Sequence, residues 1–368
     1  MYKNPLLKES CRIAVAEVLK LAPEEQVLII TNPGGEAETI ACSLYDAALE
    51  CSALPVLIFQ PVKTQFDFAE PAVIAAFKSR PQVVISVSTE KLGKDREGIV
   101  SPHIYGEDEY DHIFHLLLYG EKSCRSFWSP STCLESFSRT VPIDYTALNR
   151  RCDAVSTILS AAESVRVTSP AGTDIIIGLR NRTAKADDGD FSKPGKGGNL
   201  PAGESFISPE NGTANGTIVF DGSISLYDKD IVIQKPIYCC FRDGFIADIS
   251  GDAEAKALEE TISRAEKDAL DYEKTGRLSK GKGPEYAKNA RNLGELGIGL
   301  NPAARITGAM LEDEKAFRTC HFAIGHNYDN DAPALIHLDG LVKEPTITAI
   351  MADGSAVVIE QDGELLCS

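Results

Sequence analysis

Histidines and carboxylates in the second half of this chain have the types and spacing of a metal site. Three of the six histidines, His321, His326 and His337, lie close together, and Asp339 follows the last of them. Residues i and i+2 of a strand point to the same face, so His337 and Asp339 can address one ion. His321 lies in an apolar run, where an imidazole is costly unless it is bonded or ligated. The pattern predicts a metal centre, although one such histidine alone is also typical of a hydrogen-bonded core residue.

Two glutamates occupy similarly apolar surroundings. Glu204 follows Asn199-Leu200-Pro201-Ala202-Gly203, and Glu295 lies in Leu293-Gly294-Glu295-Leu296-Gly297, where small residues let an ion approach closely. A set of histidines and carboxylates without thiolates suits Zn, Mn, Co or Fe. A carboxylate can also bridge two such ions about 3.5–4 Å apart, an arrangement that activates water. Taken singly, each glutamate is as readily a helix cap or a salt-bridged turn residue.

Several short motifs give the second half of the chain a family resemblance. They occur in the same order as in the aminopeptidase T / aminopeptidase S family of metallopeptidases, and they cover about residues 190–340. The motifs are Asn199 to Pro209, Gly294 to Gly297, Leu311 to Lys315, Cys320 to Gly325 with Tyr328, and His337 to Asp339. The N-terminal half resembles this family only in its alternation of helical and strand-like segments.

The resemblance implies a metal-dependent, aminopeptidase-like hydrolase that releases N-terminal amino acids from peptides through a di-metal-activated water. It implies roles for six residues: Glu204 and Asp339 on the first ion, Glu295 bridging both ions, His321 and His337 on the second, and Tyr328 donating toward the substrate oxygen. The ions would be Zn, Co or Mn. The resemblance also implies a homodimer that acts on a small peptide.

The chain departs from this family beside the site. The segment between Tyr328 and His337 is shorter than the family usually carries, and His326 is an additional imidazole next to the site. The pocket is therefore expected to be reshaped. A shorter loop over the metal can change the substrate or remove peptidase activity.

A second hypothesis follows from this departure. The chain also resembles 2,5-dihydroxypyridine dioxygenase, in which a single Fe(II) held by two histidines and one aspartate cleaves an aromatic ring. His337, Asp339 and either His321 or His326 would supply those ligands. The two glutamates favour the hydrolase, because a mononuclear site does not need a bridging carboxylate. A metal-free binding protein is the third hypothesis.

The composition excludes several other classes of protein. The chain has 54 acidic and 37 basic residues, a formal net charge of −17 and a pI near 4.9. Such a surface repels a phosphate backbone, and no basic stripe opposes it, so nucleic-acid binding is not expected. No apolar run approaches the roughly 20 residues of a membrane span. Ten scattered cysteines, without a C-x-x-C pair or an apolar leader, favour the cytoplasm, with a small peptide or small molecule as partner.

The elements that must position these residues fall into two halves. Through residues 1–150, helical periodicity alternates with short apolar runs such as Gln26 to Thr31 and Gln82 to Ser88, and His112 to Tyr119 is expected to be a further strand. This texture predicts a doubly wound, Rossmann-like α/β domain. From 151 to 368, period-two alternation and closely spaced strands predict an α+β domain that carries the metal site.

Overall fold

The computed structural model describes residues 4–64 and 67–367. Within them the helices are α1 (Pro5–Ile13), α2 (Gly35–Glu50), α3 (Pro71–Lys78), α4 (Arg96–Val100), α5 (Ile113–His115), α6 (Leu134–Thr140), α7 (Tyr145–Ala161), α8 (Ala253–Lys274), α9 (Lys282–Asn289) and α10 (Met310–Asp313). Turns of π-helix, Ala14–Val18 and Leu116–Gly120, extend α1 and α5. In this part of the chain, no helix combines the length and apolar character needed to cross a bilayer.

The strands of the described residues fall into two groups along the sequence. The first group is β1 (Gln26–Thr31), β2 (Leu54–Phe59), β3 (Val83–Ser88), β4 (His103–Tyr105), β5 (Asp108–Tyr110) and β6 (Arg125–Pro130). The second group is β7 (Ala162–Thr168), β8 (Asp174–Gly178), β9 (Lys185–Asp187), β10 (Gly197–Asn199), β11 (Glu204–Ile207), β12 (Asn215–Phe220), β13 (Ser223–Ser225), β14 (Asp230–Val232), β15 (Ile237–Arg242), β16 (Phe245–Ser250), β17 (Leu293–Gly299), β18 (Thr319–Gly325), β19 (His337–Lys343), β20 (Thr346–Met351), β21 (Ala356–Gln361) and β22 (Glu364–Leu365).

The first compact unit, residues 1–149 and 187–202, is built on a parallel five-stranded sheet with the order β10-β6-β3-β1-β2. Its central strands β1 and β3 are rich in valine and isoleucine and are buried apart from Gln26, as a parallel sheet covered on both faces requires. Leu28 and Ile30 of β1 pack in one cluster with Phe77 of α3 and with Phe114 and Leu117 beside α5. Helix α2 packs on the same sheet and also contacts α1 and α6. The predicted doubly wound α/β fold is therefore confirmed for this half.

The prediction of a strand from His112 to Tyr119 is wrong. The side chain of His112 accepts a hydrogen bond from the amide of Phe114 at 3.0 Å and so caps α5, and the following leucines complete a π-helical turn. A short run that is apolar on all sides is compatible with a buried strand or a buried helical turn, so periodicity cannot separate them. The expected strand of the sheet comes next, at β6.

The segment 187–202 belongs to the first unit although it follows a stretch of the second. Strand β10 pairs in parallel with β6, with Gly197 opposite Ser126 and Asn199 opposite Trp128. The first unit is thus discontinuous in sequence, whereas the sequence analysis divided the chain once, at residue 150. A non-local pairing of three residues leaves no periodic signal to read in advance.

The second compact unit, residues 150–186 and 203–368, contains two larger sheets. One has seven strands in the order β14-β13-β19-β18-β17-β11-β9, and the other has eight in the order β16-β15-β12-β8-β7-β20-β21-β22. The sheets meet where the ring of Phe220 on β12 packs against Gly340 on β19, and an added Cβ at Gly340 would lie only 2.6 Å from that ring. Helix α8 packs on β15 and β16. This is the predicted α+β half.

Candidate metal centre

Four neighbouring strands of the seven-stranded sheet carry the carboxylates and imidazoles that the sequence singled out. Glu204 begins β11, Glu295 lies on β17, His321 on β18, and His337 and Asp339 on β19. Strand register aligns Glu295 with Ala323 and Ala323 with Asp339, while His321 lies opposite Gly297 on β17. Side chains at alternate positions share a face of the sheet, so all five project from one face. The antiparallel pairing thus brings together residues that are far apart in sequence.

Small residues on the same face leave room for these side chains. Gly297, Gly299, Ala323 and Gly325 alternate with the functional positions of β17 and β18. A Cβ added at Gly297 would lie 2.0 Å from Nε2 of His321, so any larger residue there would displace the imidazole. The glycines of β17, which the sequence analysis interpreted as a sign of close approach, leave the room that the ring of His321 occupies over the strand.

The side chains form three overlapping groups whose possible ligand atoms lie within 4.8 Å of one another. They are Glu204 with Glu295 and His321; Glu295 with His337 and Asp339; and Glu314 with His321 and Asp339. Glu295 lies between the two imidazoles, with Oε1 3.1 Å from Nε2 of His321 and Oε2 3.8 Å from Nε2 of His337. Because the two oxygens of Glu295 face different imidazoles, its carboxylate has the position of a bridge between two ion positions.

His337 is oriented as a metal ligand would be. Its Nδ1–H donates a hydrogen bond of 2.8 Å to the carbonyl of His326, which fixes the proton on Nδ1 and turns Nε2 toward the carboxylates. Nε2 lies 3.3 Å from Oδ1 of Asp339. Metal-binding imidazoles characteristically donate their second N–H to a carbonyl or carboxylate in this way. The role of His326 in this arrangement is carried by its backbone.

Several buried polar atoms at the centre lack a hydrogen bond within the part of the chain that is described. These are Glu204 Oε2, Glu295 Oε2, His321 Nδ1 and Asp339 Oδ1. Buried polar atoms without partners are costly, and groups of them that converge indicate a bound ion or water. Carboxylate oxygens and imidazole nitrogens are donors that suit Fe, Mn, Zn or Co. The residues therefore fit a divalent ion.

The charges of the site are strongly coupled. Burial alone would lower the pKa of His337, but the adjacent Asp339 and the nearby Glu295 raise it to about 10. Burial would also lower the pKa of His321, but the hydrogen bond that its Nε2 donates to Glu295 and the negative charge of Glu204 raise this pKa to about 9. Burial raises the pKa of Glu295, against the effect of both imidazoles. Without an ion, both imidazoles are therefore protonated on both nitrogens at neutral pH and carry a positive charge.

The sequence analysis gave no role to a buried ion pair next to this cluster. Lys315 has no exposed surface, and its Nζ lies 2.6 Å from Glu204 Oε1 and 2.6 Å from Glu314 Oε1. Burial raises the pKa of Glu314 to about 8, although the charge of Lys315 opposes the shift. The sequence signals were the motif Leu311 to Lys315 of the family resemblance, to which no role was assigned, and the charged pair Glu314-Lys315 shortly before an apolar strand, where burial of both charges implies a mutual partner.

Aromatic rings border the open side of the centre. His337 is one-fifth exposed, and the ring of Tyr328 lies 5.0 Å from it, between centroids. The ring of Phe206 lies 5.3 Å from Tyr328 on the other side, and His326 lies 6.5 Å from Tyr328. Tyr328 is 46% exposed, so its ring is accessible from solvent. The sequence analysis expected a hydroxyl donor at Tyr328, whereas the structure also gives it the position of an aromatic wall.

The loop that carries Tyr328 is anchored by ion pairs. Arg182, with a side chain 11% exposed, lies 3.1 Å from a carboxylate oxygen of Asp329 and 2.9 Å from one of Asp331. Lys185 donates a hydrogen bond of 2.9 Å to the carbonyl of Tyr328. These contacts hold the short segment before His337 against β9 and the residues that precede it.

The structure brings together all the metal ligands expected from the sequence, but in a different grouping. The resemblance paired Glu204 with Asp339 and His321 with His337. The structure instead groups Glu204 with His321 and Asp339 with His337, with Glu295 in both groups, and a third group joins Glu314 with His321 and Asp339. The two-histidine triad of the dioxygenase hypothesis is not among the groups found in the described residues, where Glu295 accompanies His337 and Asp339 instead.

Carboxylates and imidazoles that converge on one buried sheet face have the donor set of a metal-dependent enzyme. Comparison with known families identifies the family to which the chain belongs. The family model for 2,5-dihydroxypyridine 5,6-dioxygenase matches residues 132–360, and the chain belongs to this family. The expected enzyme is therefore confirmed, and the family favours the dioxygenase hypothesis over the hydrolase.

Individual relatives agree with this result. The chain is 30% identical over 170 residues to 2,5-dihydroxypyridine 5,6-dioxygenase from Pseudomonas putida, a match that spans 45% of this chain and 41% of that relative. The solved structure of 2,5-dihydroxypyridine dioxygenase from Pseudomonas putida KT2440 superposes with a TM-score of 0.70 at 18% identity, covering 98% of this chain and 97% of that one. Aminopeptidase T (AmpT) from Thermus thermophilus gives a TM-score of 0.67 at 16% identity, covering 98% and 99%. Both structures share the fold.

Gly297→Ala is expected to lower metal affinity about 10- to 100-fold, the range found when groups that support metal ligands are disturbed. The added methyl would move His321, which contacts Glu295. Isothermal titration with Mn(II) measures the effect. Gly354→Ala, in a turn with open space around it, is the control for a destabilising glycine replacement away from the site, because its φ of 82° strains an alanine. Unchanged affinity in Gly297→Ala would contradict the role of this glycine.

Metal affinity should rise with pH. His337 is protonated at neutral pH in the absence of an ion, because its pKa is raised to about 10, and ligation through Nε2 requires loss of that proton. We expect release of at least one proton at pH 7 and roughly a tenfold gain in affinity per pH unit up to about pH 9. Titration calorimetry in buffers of different ionisation enthalpy counts the protons. An affinity independent of pH between 6 and 9 would rule out ligation by His337.

Proposed function

We propose that this protein is a metal-dependent dioxygenase that cleaves a small hydroxylated aromatic or heteroaromatic ring. Membership of the 2,5-dihydroxypyridine 5,6-dioxygenase family supports the reaction class. The observation that carries the proposal is the position of flat rings on the open side of the group Glu295, His337 and Asp339. A planar substrate that enters from this side meets aromatic faces before it reaches the ligands.

The rings favour a flat substrate for a physical reason. Aromatic pairs gain about 0.5–1.5 kcal/mol beyond the burial of their area when stacked offset or edge to face. Tyr328 is tilted by 55° from His337 and by 60° from Phe206, and it is 46% exposed, so its ring can contact a further ring from solvent.

The residues of the centre have distinct tasks in this proposal. Glu295, His337 and Asp339 would hold one Fe(II), and the carbonyl of His326 fixes the ring of His337 through Nδ1. The bound ion would supply the redox chemistry that lets dioxygen react with the ring. Tyr328 orients the substrate and shields the centre from bulk water, while its loop is held by the ion pairs of Arg182.

A hydrolase is the second candidate function. The observation that favours it is Glu295, whose two oxygens face different imidazoles as a bridging carboxylate would. Two ions on either side of Glu295 could activate water for attack on a peptide carbonyl. The fold shared with AmpT is compatible with this candidate.

Oxygen consumption separates the two candidates. The protein reconstituted anaerobically with Fe(II) is expected to consume dioxygen with 2,5-dihydroxypyridine or a related hydroxylated ring. With Zn, Co or Mn it should not hydrolyse aminoacyl p-nitroanilides. His337→Ala should abolish the oxygen consumption, whereas His115→Ala, at a half-exposed histidine of the first unit, is the matched control and should retain it. Hydrolysis of the anilides without ring-dependent oxygen uptake would contradict the proposal.

Substitutions of Tyr328 test its role as an aromatic wall. Tyr328→Leu removes the ring, and a loss of about 1 kcal/mol of stacking corresponds to roughly a fivefold rise in KM. Tyr328→Phe keeps the ring and should change KM and kcat less than twofold. Steady-state kinetics of both variants give the result. A large fall of kcat in Tyr328→Phe would instead indicate that the hydroxyl stabilises an oxyanion, as the hydrolase requires.

A further inference from the structure

A buried carboxyl group in the eight-stranded sheet has no role in the proposed reaction. Glu360 lies on β21 and has no exposed surface, and neither of its carboxyl oxygens has a hydrogen bond within the described residues. It belongs to none of the groups of candidate metal ligands found there. A carboxylate buried without a partner is costly, so the position of Glu360 requires a physical explanation.

A β-bulge turns Glu360 into the interior. Ile347 of β20 lies opposite Glu360. The next residue, Thr348, lies opposite Val358, so Ile359 is an extra residue on β21. Successive residues of a regular strand point to opposite faces, but here Ile359 and Glu360 are both fully buried. Because bulges re-aim side chains and are specific features of a fold, the inward position of Glu360 is built into the backbone of β21.

The groups around Glu360 disfavour a negative charge on it. Burial raises the pKa of Glu360 well above its usual range, the charge of Glu364 on β22 adds to this effect, and Arg318 opposes it. Arg318 is half-exposed and already pairs with Glu364 at 2.6 Å. The thiols of Cys320 on β18 and Cys367 after β22 are buried enough to have raised pKa values, which the charge of Glu360 raises further. Strand β20 has no titratable side chain in its sequence.

The strand that covers Glu360 on one side is short. Strand β22 has two residues, forms the edge of the eight-stranded sheet, and places Leu365 opposite Glu360. In the turn between β21 and β22, the amide of Gly363 donates to the carbonyl of Pro345 at 2.8 Å. Short terminal elements with few contacts open locally at a lower free energy than the core. Separation of β22 from β21 would therefore expose Glu360 to water.

We propose that Glu360 is a buried carboxylic acid that keeps β22 closed on β21 while it is protonated, and that loss of its proton opens this end of the sheet. An exposed glutamate ionises near pH 4.3, so the carboxyl group releases a proton when the strands separate. The closed state binds one more proton than the open state. Its advantage is complete below about pH 4.3 and falls by about tenfold per pH unit as the pH rises toward the pKa of the buried acid. The inference does not depend on the proposed reaction.

Hydrogen exchange of the peptides that cover β21 and β22 tests the inference. The full-length wild type and Glu360→Gln are compared at the same pH, so that the intrinsic exchange rate and any effect of pH on the rest of the molecule cancel. Between pH 5 and 7, the ratio of the wild-type rate to the variant rate is expected to rise about tenfold per pH unit, because glutamine has no proton to lose on opening. Glu360→Met, which is also neutral and unbranched, gives the same comparison if Glu360→Gln does not fold.

Glu344→Gln is the matched control. This glutamate is half-exposed and lies 3.7 Å from Arg318, just before β20, so the same chemical change is made near the same arginine but in solvent. Its exchange should stay within about twofold of the wild type at each pH. A ratio for Glu360→Gln that does not change with pH would overturn the inference, because the carboxyl group would then release no proton on opening. Faster exchange in the variant at every pH would also overturn it, since a partner would then require the carboxylate.

Discussion

Crowding of carboxylates on one buried sheet face is the constraint on which the rest of this site depends. Glu204, Glu295, Glu314 and Asp339 lie within a few ångströms of two imidazoles, away from bulk water. Such a set is unfavourable by itself, because buried like charges repel one another and have lost their hydration. Positive charge must therefore be supplied from inside the protein or by an ion. Lys315 supplies one such charge, and the buried oxygens of Glu295 and Asp339 that lack a hydrogen bond indicate a place for an ion.

The antiparallel sheet makes this crowding possible. Neighbouring strands lie about 4.8 Å apart, so residues opposite one another on three strands can reach a common ion. Glycine and alanine at the intervening positions remove the side chains that would otherwise fill the face, most clearly at Gly297 beneath His321. The eight-stranded sheet behind, which packs Phe220 against Gly340, supports the strands from the opposite side. The sheet thus provides both the distance between strands and the room that the candidate ligands need.

The sequence predicted the parts of this arrangement that have a local signal. The spacing of His337 and Asp339 is a property of one strand, and the ordered motifs that carry Glu204, Glu295 and His321 indicated a shared site. The pairing of Lys315 with Glu204 and the aromatic border depend on strand register and on a loop, which no periodicity encodes. The apolar run after His112 was wrongly predicted to be a strand for a related reason. A run that is apolar at nearly every position has no periodicity that distinguishes a helix from a strand.

The shared fold with a dioxygenase and with AmpT shows that one scaffold is compatible with both oxidative and hydrolytic chemistry, so the ion and the residues around it must decide between them. The central claim is that one ion lies between Glu295, His337 and Asp339, beside an aromatic wall. Anomalous diffraction at the iron edge from crystals grown with Fe(II) tests it most directly. The account predicts a single peak about 2.0–2.2 Å from the three ligands. Two peaks about 3.5–4 Å apart on either side of Glu295 would contradict it.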